Sequence, residues 1–290
     1  MLPFIPHHWD WELFREIVGY GTNFQIISAT GMFYDPMTKA LLSRFGGLSF
    51  VGYYEMAGRM IQQFRSLIVS ANQVLVPAIA RMQERTPERI QSVYMTTYQL
   101  IFYIALPFYS LIIICMPLIS VLWIGHYESV FIISGVILTF GWFLNTLSGP
   151  AYFSYLGIGR LRWNVAGYLT IALLNAGLGF MLGMLYGGIG VVVAWAVSLS
   201  LGSSIIYISY HISYKIHLIE LLPKTSRRII LVCLVGLVSI YLIWLKLNHI
   251  LSLDILIISL FAIIVFISSW IHPMRKRFTG WVRNELLDTK

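Results

Sequence analysis

Residues 52–60 read GYYEMAGRM, inside a stretch, 49–80, that is otherwise long and apolar enough to cross a bilayer. Glu55 and Arg59 stand one helical turn apart in it. Setting Glu55 at zero and advancing 100° per residue puts Arg59, Gln62, Ser66 and Gln73 in the same wedge, about 60° wide. Arg65 and Asn72 form a second, adjacent line, and the rest of the surface is Met, Ile, Leu, Val and Phe. A charge facing lipid is expensive, so this stripe must face other helices or a wet cavity. Glu four residues before Arg is also the favourable pairing order on a helix.

Working outward, the preceding stretch repeats the device. Asp35 and Lys39 are again four apart, with Ser28 and Gln25 on roughly the same face. Pro36 removes one backbone hydrogen bond and leaves a carbonyl free there. Two consecutive helices thus each carry an acid–base pair at membrane depth. One reading is that the pairs neutralise each other and tie two helices together. The other is that they line a path for a polar, charged substrate. The length of the stripe favours the second, because a single pair needs no Gln62, Ser66 and Gln73 beneath it.

Composition agrees with a membrane setting. The 290 residues are 58% hydrophobic and 11% charged, with mean hydropathy +0.77, against about 25% charged in soluble domains. Eight apolar stretches, 22–44, 49–80, 92–117, 129–156, 163–185, 188–212, 228–246 and 251–271, are near or above the ~20 residues a spanning helix needs. Backbone groups in lipid must be satisfied internally, and no barrel-like alternation is present. The expected fold is an all-α polytopic membrane protein with about eight transmembrane helices.

Charge orients it. Of 20 Lys and Arg, 14 fall in alternate loops and the tail, from Arg81, Arg85 and Arg89 through Arg160 and Arg162 to Lys215, Lys224, Arg227, Arg228 and the last 18 residues. The opposite loops hold only Arg44 and Lys246. Such a bias predicts that both termini are cytoplasmic, in a cell (inner or plasma) membrane. It also accounts for the net charge of +8 without nucleic acid as a partner.

The expected organisation is an amphipathic connector over 1–21, a six-helix lobe over 22–212, two additional helices within 213–272 and a basic cytoplasmic tail over 273–290. In the connector, Trp9, Leu13, Ile17 and Tyr20 fall at helical spacing, which suits the membrane interface. The start lacks the basic region and apolar core of a signal peptide. Cys115 and Cys233 lie inside apolar stretches and suggest neither a disulfide framework nor a metal site. The seven His residues are scattered, and no P-loop, HExxH or GxSxG is present, so catalysis has no address. Pro77, Pro107, Pro117 and Pro150 mark kinks or helix ends. Gly179, Gly183 and Gly187 form a small-residue face, read as packing. Trp123, Trp163, Trp270 and Trp281 read as interfacial anchors.

Three stretches carry a family resemblance. Residues 41–82, LLSRFGGLSFVGYYEMAGRMIQQFRSLIVSANQVLVPAIARM, resemble the second half of the polysaccharide/oligosaccharide-lipid flippases, a branch of the multidrug/oligosaccharidyl-lipid/polysaccharide superfamily. Their Gly-Tyr-Tyr-x-x-Ala turn is matched by Gly52, Tyr53, Tyr54 and Ala57. Residues 148–165, SGPAYFSYLGIGRLRWNV, resemble the family's helix-to-cytoplasmic-loop junction. Residues 173–198, LLNAGLGFMLGMLYGGIGVVVAWAVS, resemble the next hairpin. The resemblance spans residues 15–272 and rests on the order and spacing of these motifs.

It implies two six-helix lobes around a central cavity, sometimes with two further helices. The eight stretches match the second lobe and those two helices. The chain is therefore expected to lack a first lobe, either as a truncated reading frame, the favoured reading, or as a half that pairs with another chain. The implied function is translocation of polyprenyl-pyrophosphate-linked oligosaccharide for cell-surface polysaccharide synthesis, by alternating access among membrane lipids. Lys39, Arg59, Arg65, Gln62 and Gln73 are then the substrate-binding candidates. Asp35 and Glu55 hold the bases or exchange a coupling cation, H+ or Na+; no other cofactor and no metal is implied. The alternatives are a drug/cation antiporter of the same superfamily, an integral membrane enzyme or polymerase of glycolipid assembly, and a structural membrane subunit.

Overall fold

The computed structural model describes residues 10–73, 75–217, 221–222, 226–246 and 251–271. The tail 273–290, Trp9 and Trp281 therefore lie outside the described residues. Among those described, the regular structure is helical and no strand occurs.

Helix α1 (Trp11–Gly46) starts where Asp10 takes the cap position and its side chain accepts from the amides of Glu12 and Leu13, both at 3.0 Å. Glu12 in the first turn adds a favourable charge at the positive end of the helix. The amphipathic start and the first expected span are one unbroken 36-residue helix. Trp11, Leu13, Phe14 and Ile17 on its opening turns are exposed. A left-handed Gly47, φ 83°, ends it. The second expected span covers α2 (Leu48–Gln73) and α3 (Leu75–Arg85). After a 3-10 turn at Pro87–Arg89 come α4 (Ile90–Ile124), α5 (Ser129–Ile158), α6 (Arg162–Ser213), α7 (Ser226–Lys246) and α8 (Leu251–Ile271). Glu128 caps α5 through the Val130 amide at 3.2 Å, and Gly125 and Gly159 close α4 and α5 in the left-handed region.

Helix α6 contains two expected spans, 163–185 and 188–212. At Gly187 the backbone leaves helical space (φ 65°, ψ −148°), a region glycine alone enters freely. The two arms fold back against each other. A Cβ on Gly167 would lie 2.7 Å from the Gly202 carbonyl oxygen and 2.6 Å from Ile206. The hairpin turn is thus a single residue. The small-residue face expected to pack does so: a Cβ on Gly179 would meet Leu41 at 2.8 Å, and one on Gly183 would meet Phe45 at 2.5 Å, both on α1.

The prolines take two kinds of position. Pro107, Pro117 and Pro150 lie inside helices that continue through them, as Pro36 does, whereas Pro77 falls in the first turn of α3. Loss of one amide donor is tolerated because the neighbouring helices hold the backbone in place.

Three stretches, Pro87–Ile124, Ser129–Ile158 and the two-armed Arg162–Ser213, are long and apolar enough to cross a membrane. Helices α1 and α2 are less apolar because they carry the charged stripe. Helices α7 and α8, 21 residues each, measure about 32 Å, matching a hydrocarbon core of about 30 Å. The main core, including Leu42, Ala57, Ile61, Met116, Phe131 and Trp195, lies among α1, α2, α4, α5 and α6. Helices α7 and α8 pack behind α4 through Ile114, Ile229, Cys233 and Phe261. Ends that the charge pattern assigns to one side do gather. Residues Asn23, Arg160, Arg162 and Tyr214 share one concavity, while Gly46 lies against Gly188 at the other end.

Candidate functional site

Helices α1, α2, α5 and α6 wall a cavity of about 580 Å³. Six of the seven residues singled out in the sequence line it: Asp35, Lys39, Glu55, Arg59, Gln62 and Arg65. Gln73 is exposed and is not part of the lining. Eighteen residues separate it from Glu55, about 27 Å along the axis, so a shared helical face does not make a shared site. On α1 the lining comprises Thr30, Gly31, Tyr34, Asp35 and Lys39, and neither Ser28 nor Gln25 contributes.

The two acid–base pairs form one network. Lys39 Nζ lies 2.6 Å from Asp35 Oδ2 on its own helix and 2.6 Å from Glu55 Oε1 across the helix boundary. Glu55 Oε2 accepts from Arg59 Nε at 3.1 Å. Charges alternate along this chain, Asp35, Lys39, Glu55, Arg59, and sum to zero. Lys39 is fully committed to its two carboxylates. Arg59 is held through Nε alone, with its side chain 81% exposed on the open side of the cavity.

Arg65 is different. It comes from the second line of polar residues on α2, which turns toward α5; Asn72 of the same line is buried against Gly149. The Arg65 guanidinium lies 4.1 Å from the centre of the Trp142 ring. Its Nη2 donates to Asn145 Oδ1 at 2.8 Å. Asn145 is fixed in turn by donating from Nδ2 to Ser203 Oγ, also at 2.8 Å. Gln62 Oε1 accepts a long 3.5 Å contact from Nη1, and Nε is buried with no hydrogen-bond partner. Among the described residues no carboxylate pairs with Arg65. A half-buried cation held by a ring and two neutral amide oxygens, one of them at 3.5 Å, is therefore electrostatically unsatisfied.

Sequence reasoning missed the α5 and α6 side of the cavity: Leu138, Trp142, Asn145, Tyr168, Ile171, Trp195 and Leu199. A signal was available. Trp142 and Trp195 sit in mid-span, where interfacial anchoring cannot explain them, and Asn145 is a polar residue in an apolar run. Tyr34 stacks on Trp195, with ring centres 6.0 Å apart.

Comparison with known proteins follows the same line. A family model described as "Polysaccharide biosynthesis protein" matches residues 1–130. Among solved structures, lipid II flippase MurJ in an inward closed conformation is similar, with TM-score 0.67 and 17% identity over 95% of this chain. The chain spans 58% of that flippase's length. No curated protein sequence matches. The expected likeness to polysaccharide and lipid flippases is thus borne out, and the chain is an all-α, multi-pass membrane protein with the fold of part of a flippase.

Proposed function

We propose that this chain forms one wall of a transport path through which the polar head of a polyprenyl-pyrophosphate-linked oligosaccharide crosses the cell membrane by alternating access, as a transporter rather than an enzyme. The observation that carries this reading is Arg65, a cation in the cavity wall with no anion among the described residues. An arriving phosphate supplies the missing charge. A guanidinium grips phosphate oxygens through two parallel hydrogen bonds, and the flat face of Trp142 holds its plane. Arg59, anchored only through Nε, offers its remaining donors at the open side. Lys39 keeps Asp35 and Glu55 neutralised while the site is empty. Gln62, beside Arg65, meets sugar hydroxyls. The likeness to a lipid II flippase supports the lipid-linked substrate class.

A drug/cation antiporter needs an acid free to receive a cation. Here both acids already share Lys39, and the unpaired charge is positive. The charge balance therefore favours an anionic substrate.

The test measures glycan export in cells whose transporter carries substitutions here, with membrane levels checked. Arg65→Lys keeps the charge but loses the planar contact with Trp142, worth about 0.5–2 kcal/mol, and the forked grip. Export is expected to fall about tenfold. The double replacement Glu55→Gln with Arg59→Met is expected to impair export while protein levels hold, because Arg59 is a phosphate donor. Wild-type export in Arg65→Lys and in the double variant alike would overturn the phosphate reading and leave the Glu55–Arg59 pair a purely structural role.

A further inference from the structure

Away from the central cavity, a concavity of about 380 Å³ opens where α1, α5 and α6 meet at the basic end of the bundle. Asn23, Tyr155, Arg160, Arg162, Trp163 and Tyr214 line it. Left-handed Gly159 turns the chain so that Arg160 and Arg162 flank the opening. Neither arginine is ion-paired among the described residues. The Arg162 guanidinium lies 5.1 Å from the Trp163 ring centre. Burial pushes the Tyr214 phenol up in pKa, and the charge of nearby Arg160 pulls it back.

The positive-inside pattern explains why arginines occur in this loop, but not why two of them border one pocket without a counter-ion. The surface beside it supplies a second observation. Counting from Arg162, residues 169, 173 and 180 return to the same helical face. They are Leu169, Leu173 and Phe180, respectively 41%, 72% and 43% exposed. A basic, aromatic-lined pocket at a helix boundary is thus continued toward the membrane interior by an exposed apolar ladder. That combination suits one molecule with an anionic head and a hydrocarbon tail.

We propose that this concavity binds the phosphodiester head of an anionic phospholipid, with Arg160 and Arg162 on the phosphate, Trp163 and Tyr214 at the interface, and an acyl chain along Leu169 and Leu173. The site is independent of the transport reading, because it shares no residue with the central cavity.

Native mass spectrometry of the purified full chain, titrated with phosphatidylglycerol or phosphatidylcholine, tests it. The wild-type chain is expected to retain phosphatidylglycerol in preference. Arg160→Gln with Arg162→Gln should weaken that retention about tenfold, the equivalent of one charge-assisted contact, and either single change should fall between. Arg81→Gln with Arg85→Gln removes equal charge from the same end and should leave retention intact. Equal loss in this control would reduce the effect to general surface charge and overturn the site. Glycerol phosphate at matched concentration is expected not to displace the lipid. Displacement would show that the pocket takes a free phosphate ester and overturn the lipid assignment.

Discussion

Lys39 bridges two carboxylates on two helices, and this fixes the result of removing it. Lys39→Met leaves Asp35 and Glu55 facing each other with Arg59 alone to balance them. Breaking a fully buried pair costs about 3–5 kcal/mol. Asp35 is 53% exposed, so water screens part of that loss, and about 1–3 kcal/mol is expected. Thermal unfolding in detergent measures it. Adding Asp35→Asn to Lys39→Met should recover about half the loss; no recovery would show that Asp35 is not repelled. Both within-helix pairs were legible in the sequence, because spacing of four places partners on one face. The bridge between them was not, since periodicity gives a residue's angle on its own helix but not which helix it meets. Arg65 shows the same limit: its line was noted, yet its partners Asn145 and Trp142 lie about 80 positions away along the chain.

Among the elements, the hairpin in α6 depends on Gly187. Any other residue at φ 65°, ψ −148° is strained by about 1–3 kcal/mol, so Gly187→Ala should lower the unfolding temperature. Gly177, in the same helix, has open space where a Cβ would go. Gly177→Ala should therefore raise stability by about 0.5–1 kcal/mol, and equal loss in both variants would refute the argument. Both arms of α6 were readable from hydropathy, and the close glycine face from its four-residue spacing. The prolines could not be sorted from sequence, because a ring inside a helix costs one hydrogen bond and the surrounding packing decides whether the helix ends there. Gln73 misled for a related reason: helical angle carries no information about depth.

For the whole molecule, two expectations follow from charge and shape. If the basic end is cytoplasmic, a cysteine replacing exposed Glu88 is shielded from impermeant thiol reagents in intact cells, whereas one replacing His126, 61% exposed at the opposite end, reacts. The reverse labelling pattern would invert the orientation. The cavity is also open on the side where Arg59 and Asp35 are exposed. Purified alone and reconstituted into vesicles, the chain is therefore expected not to flip lipid-linked oligosaccharide. Co-reconstitution with a six-helix body able to cover α1 and α2 should restore flipping. Rapid flipping by the chain alone, with light scattering that reports a dimer, would mean that a second copy closes the path. The membrane class and the acidic and basic stripe were legible in composition and periodicity. The closed charge network and the unpaired arginine emerge only when four helices are brought together.

The one-residue turn in α6 also bears on how the protein is made. A connection that short cannot wait in water on the far side while its second arm is still being synthesised. The first arm, entering the membrane as the ribosome continues, has no stable turn until residues past Gly188 have emerged, so both arms should partition into lipid as a single event. A ribosome stalled before the second arm has emerged would then hold a nascent chain in which a cysteine replacing Gly177 still reacts with a water-soluble thiol reagent, and one stalled well beyond codon 213 would shield it.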